Sequence, residues 1–469
     1  MKRSFLLLFC AATLSANAQV NDVLTPLHLM QPQYDTPYRI PEQAQVKADI
    51  DRVLNYLDES IPYELDASGE HLKAGSFRPT SYETGVTYAA CLAAAKSCED
   101  SKYHEFTNRR LLAISKLSSK ISDKVKKDPR FDNEMRRVVV PGALDDAGAM
   151  ASAYVRLLLS NQERKTPLAK KALVAQENML MLKTVKNYVD FVHDQQYRLA
   201  DGIFARERPR HNTVWLDDMY MGVPCLAWYG AYAKDLNYLH DAVQQIRLFK
   251  QRMWVQEQQL FRHGWVESMN PHPVFPWGRA NGWALLTMCE VLDAIQVAND
   301  PSLNEDRAFV LELLQQHIEG LCKLQDKTGF WHQLLNDPDT YLETSCTAIY
   351  TYCMAHAICE GWIDAAAYGP QTLLAWNAVS TQINSLGQVE NTCVGSGMGF
   401  DRAFYAYRPV HVMAAHGYGP VIWAGSEVVR LLGCTHPKFN DSAIHFYPTE
   451  QKTDKPIFSE SVTEEELLW

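Results

Sequence analysis

The chain has 469 residues, of which 47% are hydrophobic, 21% charged and 11% aromatic, and its formal net charge is -10. This balance is that of a globular protein, and it excludes a disordered, collagen-like or coiled-coil chain. The acidic net charge argues against a nucleic-acid partner. The chain contains 11 tryptophans and 22 tyrosines. So many rings suit either a core of large side chains or a cleft that stacks on flat ligands such as sugars.

The start of the chain has the pattern of an export signal. Lys2 and Arg3 precede an apolar run over residues 5–14, and a small-x-small cleavage site follows at residues 16–18. The run is too short to span a bilayer, and no longer apolar run follows it. We therefore predict a signal peptide over residues 1–18, a periplasmic or secreted protein and no membrane anchor. Several prolines in residues 19–45 predict an extended arm.

Further along the chain, apolar residues recur at helical spacing. One set comprises Val46, Ile50, Val53, Leu54 and Leu57, and a later set comprises Leu311, Leu314, Ile318 and Leu321. Strand-like alternation is scarce, and the segments between the helical patterns are short and carry Gly, Pro and Asp. These features predict a mostly helical protein.

A loose internal repeat predicts how the helices are arranged. Three loops each end in a motif at the start of a predicted helix, namely WLDD at 215–218, WGRANGW at 277–283 and ETSCTA at 343–348. The chain advances by about 60 residues from one motif to the next, which is the length of one helical hairpin with its loops. Six such hairpins would use most of the chain. We therefore predict an all-α fold, an (α/α)6 barrel over residues 46–469 in one domain, with its cleft formed by the loops at one end.

The cysteines and the short motifs exclude several classes of site. The 11 cysteines form no CxxC pair, and their spacings predict no zinc site. Cys346 and Cys353 lie on one face of a predicted helix, where small buried side chains are the favoured interpretation. Disulfides are permitted in an exported protein, but the cysteine count establishes none. His411 and His416 have no neighbouring ligands, so no metal is expected.

Three further classes are disfavoured by motif. The chain contains neither the GxSxG motif of serine hydrolases nor the HExxH motif of zinc proteases. Residues 395–399 are rich in glycine, but no Lys-Ser/Thr follows them and no strand precedes them, so a nucleotide-binding loop is not expected.

Two aspartate pairs are the main candidates for chemistry. Asp145-Asp146 and Asp217-Asp218 each precede a helix-like apolar run. Helix capping is the favoured interpretation of an arbitrary pair. Apolar neighbours of the second pair, including Trp215, would desolvate a carboxylate and raise its pKa towards use as a general acid. Because successive helical residues point about 100° apart, we expect one aspartate of each pair to face a shared cleft and the other to cap.

A second group of residues supplies aromatic faces, a titratable ring and a fixed cation. It comprises His263, Trp277, Arg279, Trp283, and Trp331 with its neighbour His332. An arginine between two tryptophans either packs against the rings or holds the carboxylate of an acidic sugar in bidentate fashion. Both interpretations of Arg279 stay open at this point.

These residues carry a resemblance to a known family. Five strings appear in order, namely WLDDMYMGVP, FRHGWVE, WGRANGW, GFWHQLLNDPDTYLETS and HGYGPVIWAGSEVVRLL. Their order and spacing, from about residue 82 to residue 432, resemble those of the unsaturated rhamnogalacturonyl hydrolases. These enzymes form glycoside hydrolase family 105 and are related to the unsaturated glucuronyl hydrolases of family 88. The resemblance implies the same (α/α)6 barrel that the repeat predicts.

The resemblance also implies a reaction. Enzymes of this family act on oligosaccharides that lyases have left with a C4=C5 double bond in the terminal uronic acid. One aspartate protonates C4, water adds at C5, and the hemiketal opens and expels the rest of the sugar chain. A single carboxyl serves as acid and then as base. The implied partner is an acidic oligosaccharide, and no cofactor is expected.

Roles follow from the resemblance by position. The catalytic aspartate falls on Asp217, with Asp218 as its structural neighbour, and the assisting aspartate falls on Asp146. The candidate substrate contacts are His263, Trp277, Arg279, Trp283, Trp215 and Trp331. The chain departs from the family pattern at Asp145, where relatives often carry His, and at His332, where they usually carry Tyr.

Several alternatives stay open on the sequence alone. An inverting glycosidase or a polysaccharide lyase can occupy the same barrel, and so can a non-catalytic oligosaccharide-binding protein. The sequence does not specify the uronic acid, the leaving sugar or the oligomeric state.

Overall fold

The computed structural model describes residues 33–439 and 443–450. The predicted signal peptide and residues 19–32 of the predicted arm lie outside these residues. The helices are α1 (Gln43–Ser60), α2 (Tyr82–Ser97), α3 (Ser101–Lys127), α4 (Arg136–Val139), α5 (Leu144–Glu163), α6 (Lys171–Asp190), α7 (Asp217–Ala233), α8 (Leu236–Met253), α9 (Gly278–Ala298), α10 (Asn304–Cys322), α11 (Thr344–Cys359), α12 (Ala365–Ser380), α13 (Arg402–Ala406) and α14 (Tyr418–Thr435). The strands are β1 (Thr213–Trp215), β2 (Trp254–Val255), β3 (Leu260–Phe261), β4 (Gly264–Val266), β5 (Trp331–His332), β6 (Leu342–Glu343), β7 (Lys438–Phe439) and β8 (Ile444–His445). Helix α1 begins at Gln43, inside the stretch predicted as an arm.

Six helices form a closed inner ring. Their order around the ring is α2, α5, α7, α9, α11 and α14, and α14 packs against α2 again. Helices α3, α6, α8, α10, α12 and α1 pack outside them, one against each inner helix in that order. The predicted (α/α)6 barrel is therefore confirmed. Within the described ranges, no helix is both long and apolar enough to cross a membrane.

The inner and outer helices differ in how much of their surface is buried. In the outer helix α1, the predicted apolar face from Val46 to Leu57 is buried, and the residues between its members are more exposed. In the inner helix α11, every residue from Thr344 to Ile358 is buried, including Cys346 and Cys353. A helix that is buried all round belongs to the core, whereas an amphipathic helix covers it. The interpretation of these two cysteines as buried small side chains is thus confirmed.

Glycines allow the inner helices to approach closely near the aspartate pairs. A Cβ atom on Gly148 of α5 would lie 1.5 Å from the carbonyl oxygen of Met221 in α7. A Cβ atom on Gly85 of α2 would lie 2.8 Å from the backbone nitrogen of Met150 in α5. Because a backbone cannot move aside as a side chain can, these contacts require glycine. They hold the first turns of α5 and α7, which carry the two aspartate pairs, side by side.

All six inner helices begin at the same end of the ring, because the chain alternates between inner and outer helices. The strands form two-stranded antiparallel pairs, several of them in the loops at this end. Strand β1 pairs with β4 so that Trp215 lies opposite Gly264. The backbone N–H of Leu216 also donates to the carbonyl oxygen of His263, at 2.9 Å. The pairing therefore brings His263 to the start of α7.

Candidate active site

The site is built from the first turns of the inner helices. Residues from all six of these ends contribute, namely Tyr82, Asp145, Asp217, Arg279, Glu343 and His416. The unpaired backbone N–H groups of a helix N-terminus carry partial positive charge, which favours anions. Six such ends in one place favour a negatively charged ligand and stabilise carboxylates in the wall of the site.

Asp217 is the exposed end of a chain of hydrogen bonds. Its Oδ2 atom accepts from Nε2 of His263 at 2.8 Å, and Nδ1 of His263 lies 2.7 Å from the hydroxyl of Tyr405. That hydroxyl accepts from the backbone N–H of Gly399 at 2.9 Å. The His263 side chain is 0% exposed, whereas that of Asp217 is 14% exposed. The carboxyl group thus opens to the site while the groups behind it are sealed in the protein.

The pKa of Asp217 is lower than that of an ordinary aspartate. Burial raises it, but the charge and hydrogen bond of His263, with the charges of Arg206 and Arg279, outweigh burial. Its neighbour Asp218 has a raised pKa, because burial there outweighs its pairing with Arg206. The expected rise in pKa is therefore found at Asp218, and the expectation is wrong for Asp217. The reason is His263, which approaches from a loop distant in sequence.

Arg206 joins the two aspartate pairs. Its guanidinium donates to both carboxylate oxygens of Asp218, at 2.6 to 3.1 Å, and to Oδ1 of Asp145 at 3.2 Å. It also lies over the ring of Trp215, 4.2 Å from the centroid. Burial, with the nearby charges of Asp218 and Asp217, raises the pKa of Asp145 to about 6 against the opposing pull of Arg206. Asp145 therefore changes its charge near neutral pH.

The two members of the first pair have different surroundings. Asp146 accepts from the backbone N–H of Gly142 at 2.9 Å and from Nη1 of Arg137 at 3.0 Å. It serves the local structure at the start of α5, whereas Asp145 joins the cluster around Arg206. The expectation that one aspartate of a pair faces the site is met here by Asp145, although the resemblance implied Asp146. The assisting role of Asp146 stays a prediction.

The structure favours one of the two interpretations of Arg279. The residue is 1% exposed, and its guanidinium donates to the carbonyl oxygens of Cys393 and Val394 at 2.7 and 2.8 Å. It also lies over the ring of Trp277, 4.5 Å from the centroid. Arg279 therefore packs against its tryptophan and holds the loop at 393–394, and its contact with a substrate carboxylate stays a prediction.

The predicted aromatic residues are distributed unevenly. Trp283 is buried and stacks on Tyr220 in the ring interior, with centroids 5.1 Å apart. Trp331 is buried and donates from Nε1 to the carbonyl oxygen of Leu321 at 2.7 Å. Trp277 is buried behind His263, with centroids 4.7 Å apart. Trp215 is the partly exposed member of the predicted set.

Besides Arg206 and Tyr405, two further parts of the site were not found from the sequence. The glycine-rich stretch at 395–399 forms a wall, because Gly397 lies against the ring of Trp215 and Met398 against Gly264. Tyr82 and His416 form a polar pair, with the Tyr82 hydroxyl 2.5 Å from Nε2 of His416. The glycines were a usable signal, since they permit close backbone approach. Among the residues described, no group of three or more His, Cys, Asp or Glu side chains is arranged to hold a metal ion.

The fold and the site together define a class of protein. Neighbouring carboxyl groups whose surroundings move their pKa values in opposite directions, in a partly open site, suit acid–base catalysis such as that of glycoside hydrolases. The sequence profile of Glycosyl Hydrolase Family 88 matches residues 63–432. The chain belongs to this family.

Individual relatives agree with this assignment. An unsaturated rhamnogalacturonyl hydrolase, YesR, of Bacillus subtilis is 30% identical over 173 residues, or 36% of this chain and 49% of the relative. An unsaturated 3S-rhamnoglycuronyl hydrolase of Formosa agariphila is 25% identical over 232 residues, or 46% of this chain and 58% of the relative. The aligned part of the chain thus spans about half the length of these curated relatives.

A solved structure agrees in fold. A possible member of the GH105 family from Klebsiella pneumoniae superposes with a TM-score of 0.64 at 21% identity, covering 87% of this chain and 97% of that one. This structure shows the same fold, and the family profile confirms the predicted resemblance.

Proposed function

We propose that this protein removes a 4,5-unsaturated uronic acid from the non-reducing end of lyase-generated oligosaccharides by hydrating the C4=C5 double bond. The observation that carries the proposal is the chain from Asp217 through His263 to Tyr405, which ends in one partly exposed carboxyl. Family membership and the two relatives, an unsaturated rhamnogalacturonyl hydrolase and an unsaturated 3S-rhamnoglycuronyl hydrolase, support the substrate class.

In the proposed mechanism, Asp217 and His263 share the proton that is transferred. The low pKa of Asp217 favours an ionised carboxyl, so Asp217 takes up a proton from His263 along their hydrogen bond and passes it to C4. Protonation of C4 leaves positive charge shared between C5 and the ring oxygen. Water adds at C5, and its proton returns to the Asp217–His263 pair. The hemiketal then opens, and C1 releases the rest of the sugar chain.

The wall of the site suits the charge of the substrate. The uronic acid carries a carboxylate, and the helix N-termini with Arg206 supply the opposing charge. An ionised Asp145 beside Arg206 would repel this carboxylate, so the protonated form binds substrate better. We propose Asp145 as the second acidic group of the site, since its pKa of about 6 lets it respond to the substrate's charge.

We also propose that the protein acts outside the cytoplasm. The support is the pattern at residues 1–18, with two basic residues, a short apolar run and a small-x-small site. Export would place the enzyme where lyases release oligosaccharides from extracellular polymers. Fusion of residues 1–18 to a reporter active only after export tests the proposal, with Lys2 and Arg3 changed to Glu as the control.

The test of the reaction follows the ultraviolet absorbance of the conjugated double bond. Disaccharides released by lyases from rhamnogalacturonan, ulvan and a glycosaminoglycan are mixed with the purified protein. We expect the absorbance of at least one to fall. Product release from saturated oligosaccharides, without loss of absorbance from any of the three, would overturn the proposal in favour of ordinary glycoside hydrolysis.

The Asp217→Asn variant tests the assignment of the acid. We expect kcat to fall by about 10³-fold, within the usual contribution of a positioned acid, while the protein folds normally. Asp123→Asn, an exposed aspartate on α3, is the matched control and should behave as the wild type. Turnover by Asp217→Asn within about threefold of the wild type would remove Asp217 from the mechanism.

A further inference from the structure

Two cysteines meet at the end of the barrel opposite the site. Cys359 is the last residue of α11, and Cys434 lies in the last turn of α14, the neighbouring inner helix. Their Sγ atoms are 3.4 Å apart. We propose that these thiols are an oxidative modification site, at which an internal disulfide joins α11 to α14.

The surroundings of the two thiols permit the bond. A disulfide needs an S–S distance of about 2.0 Å, so the sulfurs must approach by about 1.4 Å. Both cysteines lie in the last turn of a helix, where fewer helical hydrogen bonds hold the backbone than in the helix interior. Rotation of the two side chains and small movements at the helix ends can therefore supply the approach.

Ion pairs already align the same two helices at this position. Arg430 of α14 donates to Glu360, which follows α11, at 2.7 Å, and Glu427 of α14 binds His356 of α11 at 2.9 Å. These contacts hold the helix ends in one register. The thiols therefore meet within a fixed framework, independently of their own contact.

Exposure distinguishes this pair from a second pair of contacting cysteines in the described part of the chain. Cys434 is exposed, and Cys359 is partly exposed. Cys289 and Cys353 also contact each other, but both are 0% exposed in the ring interior. A soluble oxidant can reach Cys434 without opening the barrel, whereas it cannot reach the buried pair.

The electrostatics give the two thiols different roles. The S–H of Cys359 donates to Cys434 and, with Arg430 nearby, lowers the pKa of Cys434 to about 7 although burial opposes this. The same contact raises the pKa of Cys359. Cys434 is thus the thiolate that reacts first, and Cys359 is the thiol that resolves the product.

The oxidant is a small-molecule disulfide. The Cys434 thiolate attacks one of its sulfurs, which breaks that S–S bond and releases one thiolate. Cys359 then loses its proton and attacks the Cys434 sulfur, which forms the internal bond and releases the second half of the oxidant. Two protein thiols are oxidised and one disulfide is reduced to two thiols, which take up the two protons.

The bond would close a loop of the chain with a separation of 75 residues. A cross-link of this kind restricts the unfolded chain and so favours the folded state. We expect oxidation to raise Tm by about 3–5 °C and to leave kcat within about twofold, since the site is at the other end of the barrel.

The test uses the folded protein and oxidised glutathione. After incubation, the remaining thiols are alkylated in denaturant and the protein is mapped by mass spectrometry. We expect two fewer alkylated cysteines, a cross-linked peptide that contains Cys359 and Cys434, and reversal of both by dithiothreitol. Unchanged alkylation, or glutathione retained on Cys434 as a mixed disulfide, would overturn the proposal.

Two variants control the experiment. Cys434→Ser should lose both the cross-link and the rise in Tm. Cys98→Ser removes another partly exposed cysteine, on the C-terminal side of α2, and should keep both. A rise in Tm that persists in Cys434→Ser would mean that oxidation acts elsewhere, which also contradicts the proposal.

Discussion

The two ends of the barrel contain similar groups in different arrangements. At the site end, His263 lies between the carboxyl of Asp217 and the hydroxyl of Tyr405. At the opposite end, His356 lies between two carboxyls, with Nε2 3.0 Å from Asp293 and Nδ1 2.9 Å from Glu427. Each end thus has a buried histidine with a partner on both ring nitrogens.

The arginines of the two ends correspond as well. At the site end, Arg206 pairs with Asp218 and lies over Trp215. At the opposite end, Arg156 pairs with Glu290 and lies over Trp228, 5.1 Å from the centroid. A cavity of about 570 Å³ borders Arg156 and His356.

The difference lies in how completely the charges are matched. Burial lowers the pKa of His356, but Asp293 and Glu427 outweigh it and raise this pKa well above its usual value. The imidazolium there is locked between two anions, near helix C-termini that favour cations. His263 has one anionic partner, whose carboxyl opens to the site. We therefore expect His356 to stabilise the fold and His263 to take part in proton transfer.

The strongest test of this difference replaces each histidine with glutamine, beginning with the histidine at the site. In His263→Gln the proton shared with Asp217 is lost, so we expect kcat to fall by about 10²–10³-fold. The glutamine amide can still hydrogen-bond to Asp217, so Tm should change by less than about 2 °C. Initial rates in the ultraviolet assay and a thermal melt measure both. A kcat within about threefold of wild type would show that His263 does not supply the proton.

His356→Gln should give the opposite result. Removing the buried cation leaves Asp293 and Glu427 poorly compensated, and we expect the free energy of unfolding to fall by about 3 kcal/mol with kcat unchanged at 25 °C. Because the folded-state pKa of His356 is raised, its stabilisation is complete below its ordinary value of 6.5 and declines as pH rises through the folded-state pKa. The loss on substitution should therefore be larger at about pH 6 than at about pH 9.

Urea denaturation of the wild type and His356→Gln at both pH values tests this expectation. If fully folded His356→Gln loses kcat, the far end of the barrel affects the site, which would contradict a purely stabilising role for His356. An equal loss of stability at both pH values would show that the charge of His356 is not what stabilises the fold.

The sequence was informative where its signals are local. Helical periodicity and the repeat of about 60 residues predicted the barrel, because each hairpin buries its own apolar face against its neighbours. The WLDD string placed Asp217 at the start of a helix, which the structure confirms. The orientation of the side chains was harder to predict. The sequence could not show whether Asp145 or Asp146 faces the site, or which groups bind Arg279.

Asp145 and Asp146, at the start of α5, should respond differently to substitution. As Asp145 ionises near pH 6, it should repel the substrate carboxylate, so KM should rise by about tenfold between about pH 5 and pH 7.5. Asp145→Asn should flatten this rise. Asp146→Asn should keep it and lower stability by about 1 kcal/mol, through weaker hydrogen bonds to Gly142 and Arg137.

Profiles of KM against pH for the two variants decide between the residues. If Asp146→Asn abolishes turnover while Asp145→Asn resembles the wild type, the role implied by family resemblance is right and our geometric assignment is wrong. The two side chains are adjacent and identical, so each variant is the matched control of the other.

Tyr405 shows why part of the site could not be read from the sequence. It lies 142 residues from His263 along the chain, in the short helix α13, and no local pattern connects the two. The fold brings its hydroxyl to Nδ1 of His263, where the backbone N–H of Gly399 donates to the same hydroxyl. Contacts between loops that are distant in sequence leave no periodic pattern from which they could be predicted.

Tyr405→Phe has the smallest expected effect, and it tests the contribution of a single hydroxyl next to His263. It removes one hydroxyl and leaves the ring that packs on His263, so Nδ1 loses a neutral partner of about 1 kcal/mol. We expect kcat to fall by about fivefold, KM to stay unchanged, and the pH profile of kcat to shift, because the hydroxyl is the hydrogen-bond partner of Nδ1 on the ring that passes the proton to Asp217. A merely structural role would lower Tm and leave the profile in place. Phe404→Leu, which alters the neighbouring ring, is the control for packing, and an equal shift in its profile would contradict a role for the hydroxyl.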